Sequence, residues 1–202
     1  MKKKIVITGG LGYIGTELCK LYSGVSWHHQ VVVIDNRFIS ERVNQIRNWN
    51  IEFIQGDILD KNLINKHLKD ADIVHHLAGI TDVPRTMNET TSDKDHLIRE
   101  VGEKGTQNIL DAISDKCKII FPSTHVVYEG IKEVKNNIKE DENTQPVLSY
   151  SSSKAVNEEQ LKKSGKNYVI LRLGSVYGYS TDSMRIDIMP NLFSKIASQD
   201  GT

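Results

Sequence analysis

Tyr150 and Lys154 are the residues whose types and spacing most directly suggest chemistry. Because they are four positions apart, a helix would place them on one face, one turn from each other. A tyrosine phenol ionises near pH ~10 in water, so it acts as an acid or base near neutrality only where positive charge favours the phenolate. Lys154 can supply such charge. The pair therefore indicates proton transfer, although this spacing alone is also typical of an ordinary helix face with a solvated lysine.

A second candidate is the glycine-rich segment TGGLGYIG (residues 8–15), which follows a short apolar run and leads into a helical pattern. Its glycines fit both G-x-G-x-x-G and G-x-x-G-x-x-G. A helix N-terminus presents unpaired amides, and residues without side chains let a pyrophosphate approach that backbone. The segment is interpreted as a dinucleotide phosphate loop, although glycines also gather in ordinary tight turns.

Asp35 supports that interpretation, because it ends the second apolar run, 20 residues after Gly15. A carboxylate at this place accepts hydrogen bonds from the adenosine ribose and repels a 2′-phosphate. Arg37 lies nearby, and a neighbouring arginine is how NADP is accommodated. The acid nevertheless favours NAD, which is the expected cofactor.

The elements that must position these residues alternate in type along the chain. Segments with helical periodicity separate β-branched runs, which indicates a parallel sheet covered by helices on both faces. Asp60 is a candidate N-cap, and apolar residues from Leu97 to Ala112 repeat along one helix face. Right-handed crossovers then predict an α/β fold with a doubly wound Rossmann sheet. The six expected strands are residues 4–8, 30–35, 51–55, 72–76, 118–122 and 168–172.

Two segments depart from this alternation. Residues 129–149 are polar without clean periodicity, so an exposed loop is expected to lead into a helix that begins near Tyr150. After Gly178 the chain turns polar and then offers a short amphipathic helix between Ile186 and Ile196. We expect residues 1–178 to form an NAD-binding domain and residues 179–202 to begin an abbreviated substrate-binding region.

Composition excludes several classes of function. The 202 residues include 26 basic and 26 acidic side chains, so no net charge attracts nucleic acid or an anionic membrane. No apolar stretch approaches the roughly 20 residues that cross a bilayer, and a cytoplasmic protein is expected. Cys19 and Cys117 fit neither a disulfide framework nor a zinc site, and His75 and His76 are expected to be packed or to line a cleft rather than to bind a metal. No metal is expected.

With these motifs in place, the sequence resembles the extended short-chain dehydrogenase/reductases of the NAD-dependent epimerase/dehydratase family. The shared motifs run in family order from residue 8 to residue 178: TGGLGYIG, Asp35-Asn36, Gly56-Asp57-Ile58, His76-Leu77-Ala78-Gly79, Tyr150-Ser151-Ser152-Ser153-Lys154, and Arg172 through Gly178. Family members continue past the position of Thr202 into regions that hold much of a nucleotide-sugar. The resemblance also implies a homodimer built from two paired helices of each subunit.

The resemblance implies roles for particular residues. Thr124, Tyr150 and Lys154 are expected to be catalytic, with Thr124 holding the substrate oxygen near Tyr150. Substrate contacts are expected from Thr81, Thr124, His125 and Ser175. NAD contacts are expected from Gly9, Gly12, Tyr13, Ile14, Gly15, Asp35, Asn36, Asp57, Ile58, Leu77, Ala78, Gly79, Tyr150 and Lys154. Two positions depart from the family pattern, because Gly102 and Ser175 stand where the family usually has asparagine.

The stretch after the fifth strand bears on the reaction. Sugar dehydratases of the family resemble Ser-Thr-Asp-Glu-Val-Tyr there, whereas this chain has Ser-Thr-His-Val-Val-Tyr at residues 123–128. The acidic pair for elimination is absent, so the leading expectation is epimerisation of a nucleotide-sugar through transient oxidation at its fourth carbon, with Tyr150 as acid and base. A dehydratase, reductase or decarboxylase of the same family, or a non-catalytic NAD-binding module, remains the alternative.

Overall fold

One parallel sheet of six strands organises the protein, as seen in a computed structural model that describes residues 2–81, 92–180 and 184–200. The strands are β1 (Lys4–Thr8), β2 (Gln30–Asp35), β3 (Glu52–Gln55), β4 (Ile73–His76), β5 (Lys118–Thr124) and β6 (Asn167–Leu173). Their order is β3-β2-β1-β4-β5-β6, and every neighbouring pair is parallel. This is the doubly wound Rossmann order, so the predicted fold class is confirmed.

Helices cover both faces of this sheet. They are α1 (Tyr13–Ser23), α2 (Ser40–Asn48), α3 (Lys61–Leu68), α4 (Ser92–Arg99), α5 (Gly105–Ala112), α6 (Ser149–Lys163) and α7 (Met189–Asp200). Helices α1 and α2 pack on one face through Cys19, Val43 and Ile46. Helices α3, α5 and α6 contribute Ile64, Ile109 and Leu161 to the core on the other face. Because both faces are buried, the central strands are continuous apolar runs rather than alternating ones.

Strand β5 runs two residues beyond its predicted end at Pro122. The sequence pattern ends there because proline lacks a backbone donor and the following Ser123 and Thr124 are polar. In the fold, β6 pairs with β5 in register from Lys118 opposite Asn167 to Thr124 opposite Leu173. Pairing with a neighbouring strand, rather than apolar content, therefore carries Thr124 to the carboxyl edge of the sheet.

Gly102 lies in a π-helical turn, Glu100–Lys104, which joins α4 to α5 without a break in the helix. A Cβ at this position would lie 2.3 Å from the Ser153 hydroxyl of α6. The amide of Asn157 also donates to the Gly102 carbonyl at 3.1 Å. The glycine that replaces the usual asparagine thus permits close contact between this turn and α6. Single π-helical turns within α-helices are frequent at functional sites.

The irregular segment before α6 is confirmed as a loop, since no helix or strand lies between Glu129 and Leu148. The Glu129 carboxylate accepts hydrogen bonds from the Val147 and Leu148 amides at 2.9 and 2.8 Å, which fixes the entry to α6 at Ser149. The expected C-terminal helix begins at Met189 rather than at Ile186. Pro190 explains this start, because proline fits only the first turn of a helix.

No helix in the described part of the chain is long and apolar enough to cross a membrane. Cys19 and Cys117 are buried free thiols, and burial raises their pKa values to about 12 and about 11. Both therefore remain protonated, as expected of packed thiols.

Candidate active site

The glycine-rich segment turns the chain from β1 into α1. Gly9 has a φ of 71°, a left-handed conformation that favours glycine, and a Cβ there would lie 2.7 Å from the Ala78 amide nitrogen. A Cβ on Gly15 would lie 2.4 Å from the Gly9 carbonyl oxygen. These approaches allow no side chains between the loop and the start of α1 at Tyr13. Gly12, Tyr13 and Ile14 line the adjoining cleft. Because the first amides of a helix have no partner within it, this helix start suits a pyrophosphate.

Asp35 ends β2 beside this loop, with its residue only 6% exposed. Its carboxylate accepts hydrogen bonds from the Leu11 amide at 3.0 Å and the Arg37 amide at 3.1 Å, and the Arg37 Nε lies 3.5 Å away. Next to it, the Asn36 side chain donates to Asp57 at 3.1 Å. The acid thus stands beside the phosphate loop, while Asn36 and Asp57 form the neighbouring wall.

A cleft of about 780 Å³ runs along the carboxyl edge of the sheet. It begins at the phosphate loop and Asp35 and reaches Tyr150 and Lys154 at its other end. Every residue expected to contact NAD lines this one cleft, and so do Thr81, Thr124 and Ser175. The carboxyl edge of an open α/β sheet, at the point where strand order reverses, is where such folds bind ligands.

Tyr150 and Lys154 lie on α6, facing the end of β5. The Lys154 ammonium donates to the Pro122 carbonyl at 2.9 Å and lies 4.4 Å from the Phe121 ring centre and 5.9 Å from the Tyr150 ring centre. Thr124 follows directly, and its hydroxyl accepts a hydrogen bond from the Val126 amide at 3.3 Å. Thr124, Tyr150 and Lys154 therefore all line the same cleft.

Burial dominates the ionisation of this group. It raises the pKa of Tyr150, against the opposing charge of Arg185. Burial also lowers the pKa of Lys154 to about 8, against the opposing charge of Glu158. In the protein without cofactor, desolvation therefore outweighs the effect of the Arg185 charge on the Tyr150 phenol. The expectation that Lys154 and a bound nicotinamide lower the pKa of Tyr150 stays a prediction.

His125, from which a substrate contact is expected, is not among the residues that line the cleft. Its side chain is exposed, and its Nδ1 lies 3.1 Å from the Leu173 carbonyl oxygen. The 3₁₀ turn His125–Tyr128 begins directly after Thr124.

Arg185, Glu158 and Arg172 are charged residues near the site that sequence reasoning missed. Arg185 lines the cleft, donating to the Thr81 carbonyl at 3.4 Å and to Asp187 at 3.1 Å. Glu158 is buried on α6 and receives Arg172 from β6. The sequence pattern does point to Glu158, because Tyr150, Lys154 and Glu158 are spaced four residues apart on one helix face. Arg185 stands in a polar segment with no motif around it.

The two adjacent histidines are packed, as predicted. His76 is fully buried between the Thr8 and Thr106 hydroxyls, each at 3.0 Å, and burial lowers its pKa to about 3. His75 contacts the Tyr22 hydroxyl at 2.7 Å. Within the described residues, no group of three or more histidine, cysteine or acidic side chains could hold a metal ion.

Comparison with known proteins connects this geometry to a family. A family model described as NAD dependent epimerase/dehydratase family matches residues 5–201. UDP-N-acetyl-alpha-D-glucosaminuronate decarboxylase of Bacillus cytotoxicus is 38% identical over 130 residues, covering 63% of this chain and 38% of that protein. CDP-paratose 2-epimerase of Salmonella typhi is 30% identical over 205 residues, covering 87% of this chain and 58% of that protein.

Solved structures of nucleotide-sugar epimerases have a similar fold. UDP-glucuronic acid 4-epimerase from Bacillus cereus, in complex with UDP-glucuronic acid and NAD, matches with a TM-score of 0.76 and 30% identity over 98% of this chain and 63% of that one. UDP-glucose 4-epimerase from Brucella ovis, in complex with NAD, matches with a TM-score of 0.71 and 27% identity over 89% of this chain and 54% of that one. The chain spans less than two thirds of the length of each of these relatives.

Proposed function

The chain belongs to the NAD-dependent epimerase/dehydratase family, and from that premise we propose that it binds NAD and epimerises the sugar of a nucleotide-sugar at its fourth carbon. The observation that carries the proposal is the convergence on one cleft of the phosphate loop, Asp35, and the trio Thr124, Tyr150 and Lys154. We further propose that residues 1–178 form the cofactor domain and that residues 179–202 begin the substrate-binding part. Arg185 supports this division, because it reaches the cleft from that later segment.

The cofactor end of the cleft fits a dinucleotide. The loop between Gly9 and Gly15 leaves no room for side chains where a pyrophosphate would approach the amides of α1. The Asp35 carboxylate, already holding two backbone amides, keeps lone pairs free for ribose hydroxyls. Asp57 and Ile58 would flank the adenine. When bound, NAD supplies the redox chemistry, accepting hydrogen from the sugar carbon and returning it.

The catalytic end supplies proton transfer. Tyr150 would take the proton of the sugar hydroxyl and later return it, while Thr124 holds the same oxygen within reach. Lys154 uses one of its three donors on the Pro122 carbonyl, which leaves two for the nicotinamide ribose. With a pKa of about 8, Lys154 is mostly cationic near neutrality and favours the phenolate during the reaction.

The lining of the cleft supports epimerisation over dehydration. Asp35 and Asp57 are the acidic residues among its described lining, and both lie at the adenosine end. Removing water from a keto sugar needs an acid and a base beside the sugar, whereas epimerisation needs Thr124, Tyr150 and the cofactor. The second candidate is decarboxylation of a nucleotide-linked uronic acid, which is favoured by the 38% identity to a decarboxylase of this kind.

Incubation with NAD and a panel of neutral and uronic nucleotide-sugars, followed by product analysis by NMR, tests the proposal. We expect two sugars that differ only at the fourth carbon to interconvert without net consumption of NAD. Loss of carbon dioxide from a uronic acid would select the second candidate. Tight binding of NAD without conversion of any sugar would contradict both and identify a non-catalytic NAD-binding module.

A further inference from the structure

We propose that Glu158 is a positioning residue for the reaction, because its carboxylate joins the helix that carries Tyr150 and Lys154 to the ends of β5 and β6. The inference rests on the proposed function, since its purpose is to hold Thr124 opposite Tyr150. Glu158 does not line the cleft, so it acts through the residues that it holds rather than on the substrate.

The contacts of Glu158 reach both neighbouring strands. Its Oε1 accepts a hydrogen bond from the Ser123 hydroxyl of β5 at 2.6 Å. Arg172 of β6 donates from Nε to Oε1 at 2.9 Å and from Nη2 to Oε2 at 2.6 Å, which is a bidentate pair. Arg172 continues outward to the Tyr128 hydroxyl and to the Glu140 carbonyl, so the carboxylate is the inner end of a network.

These contacts fix the position of α6 along β5. Tyr150, Lys154 and Glu158 lie one turn apart in succession on α6. Lys154 holds the carbonyl of Pro122, and Glu158 holds the side chain of the next residue, Ser123. Two adjacent strand residues are therefore fastened to two adjacent helix turns. The following strand residue is Thr124, so this double attachment fixes its hydroxyl relative to Tyr150.

Glu158 also bears on the charge of Lys154. The groups around the Lys154 ammonium are the Pro122 carbonyl and Phe121 ring on β5, the Tyr150 ring on α6, and His76 on β4, which is uncharged. Among the described residues, the negative charge that raises the lysine pKa is that of Glu158. Although burial raises the carboxyl pKa, hydrogen bonds from Arg172 and Ser123 bring it below its ordinary value and keep Glu158 ionised.

A purely structural ion pair would behave differently. Buried pairs are often replaceable with little change in function, and breaking them lowers stability. If Glu158 only stabilised the fold, its removal would lower the melting temperature without moving any titration in the cleft. If Glu158 positions the site, turnover falls and Lys154 loses its proton at lower pH.

The test compares Glu158→Gln with the matched control Glu159→Gln, whose exposed carboxylate pairs with Lys162 on the outside of α6. For Glu158→Gln we expect kcat to fall about 10- to 100-fold, the size of effect that misplacement of reacting groups produces. The basic limb of its pH profile should also move to lower pH. The control should keep kcat within about twofold, as expected of an exposed pair.

A second measurement does not depend on turnover. In protein labelled with ¹³C at lysine Cε, Lys154 should titrate at about 8, and in Glu158→Gln at about 7 or lower, because a nearby charge in a buried site is worth at least tenfold in the proton equilibrium. If neither this titration nor the basic limb moves, the inference is wrong. A protein without turnover on any sugar would overturn the proposed function, while the titration would still decide the role of Glu158.

Ser123→Ala covers the case in which Glu158→Gln fails to fold. This change keeps the pair with Arg172 and removes the hydroxyl that links Glu158 to β5, so the expected result is a folded protein with kcat several-fold lower and an unchanged Lys154 titration. Unaltered kcat in this variant would contradict the proposal that Glu158 fixes Thr124.

Discussion

Asp35 should make the protein select NAD over NADP. A 2′-phosphate on the adenosine ribose would be placed beside this carboxylate, which is buried and held by the Leu11 and Arg37 amides. Two unit charges about 5 Å apart repel by roughly 3 kcal/mol at an effective dielectric constant near 20. Arg37 offsets part of this, because its Nε lies 3.5 Å from Asp35, although its side chain is 58% exposed and screened by water. We therefore expect NAD to bind about 100-fold more tightly.

The perturbation is Asp35→Asn, which keeps the shape and one oxygen acceptor and removes the charge. Arg37 then loses its partner and can face the phosphate, so the ratio of NADP to NAD dissociation constants should fall to about tenfold or less. The affinity for NAD itself also falls, because the phosphate loop loses a hydrogen-bond acceptor. The same loss affects NADP, so it cancels in the ratio of the two dissociation constants. Asp57→Asn is the matched control: its carboxylate lines the same cleft, and because we propose that it flanks the adenine rather than the ribose, it should leave the ratio unchanged.

Isothermal titration of both cofactors into the three proteins measures these ratios. Equal or tighter binding of NADP by the unaltered protein would refute the reasoning. So would an unchanged ratio in Asp35→Asn.

Three further predictions concern other parts of the molecule. Gly12→Val should weaken NAD and NADP alike by at least about tenfold, because even a Cβ there would lie 3.2 Å from the Gly9 carbonyl oxygen; equal affinity by titration would contradict this. Lys154→Met should weaken NAD binding and move the rise of activity with pH to higher pH, since removing a cation raises the Tyr150 pKa; a rise at the original pH would oppose it. Sedimentation should find a homodimer at micromolar concentration, as the family resemblance implies, since Val156 exposes 40% of its surface on α6; a monomer would count against it.

The parts of the site that sequence could predict are those carried by short local patterns. The phosphate loop and Asp35 each lie at a strand end, and the Tyr150–Lys154 spacing depends on one helix turn. A parallel sheet brings its carboxyl strand ends to one edge independently of the conformation of the loops. The doubly wound parallel sheet could be predicted as well, because right-handed crossovers leave few alternatives.

The parts that sequence could not predict depend on contacts between distant segments. His125 lies in a 3₁₀ turn that begins directly after β5, and its ring contacts the Leu173 carbonyl of β6. Glu158 meets Arg172 only because β6 pairs in one register with β5 beneath α6. Gly102 departs from the family pattern, and only the fold shows that it permits the close approach of α6 at Ser153. Desolvation of Tyr150 likewise follows from packing and not from the identity of its neighbours in sequence.

Tyr150→Phe tests the central claim most directly, because it keeps the ring and removes only the ionisable oxygen. The measurement is turnover of the nucleotide-sugar identified in the panel, made alongside titration of NAD into the same protein. The account predicts that NAD affinity survives while turnover falls by roughly a hundred- to ten-thousand-fold, the loss typical of a general acid and base. Turnover equal to that of the unaltered protein would show that Tyr150 does not transfer the proton and would contradict the dehydrogenase-type mechanism.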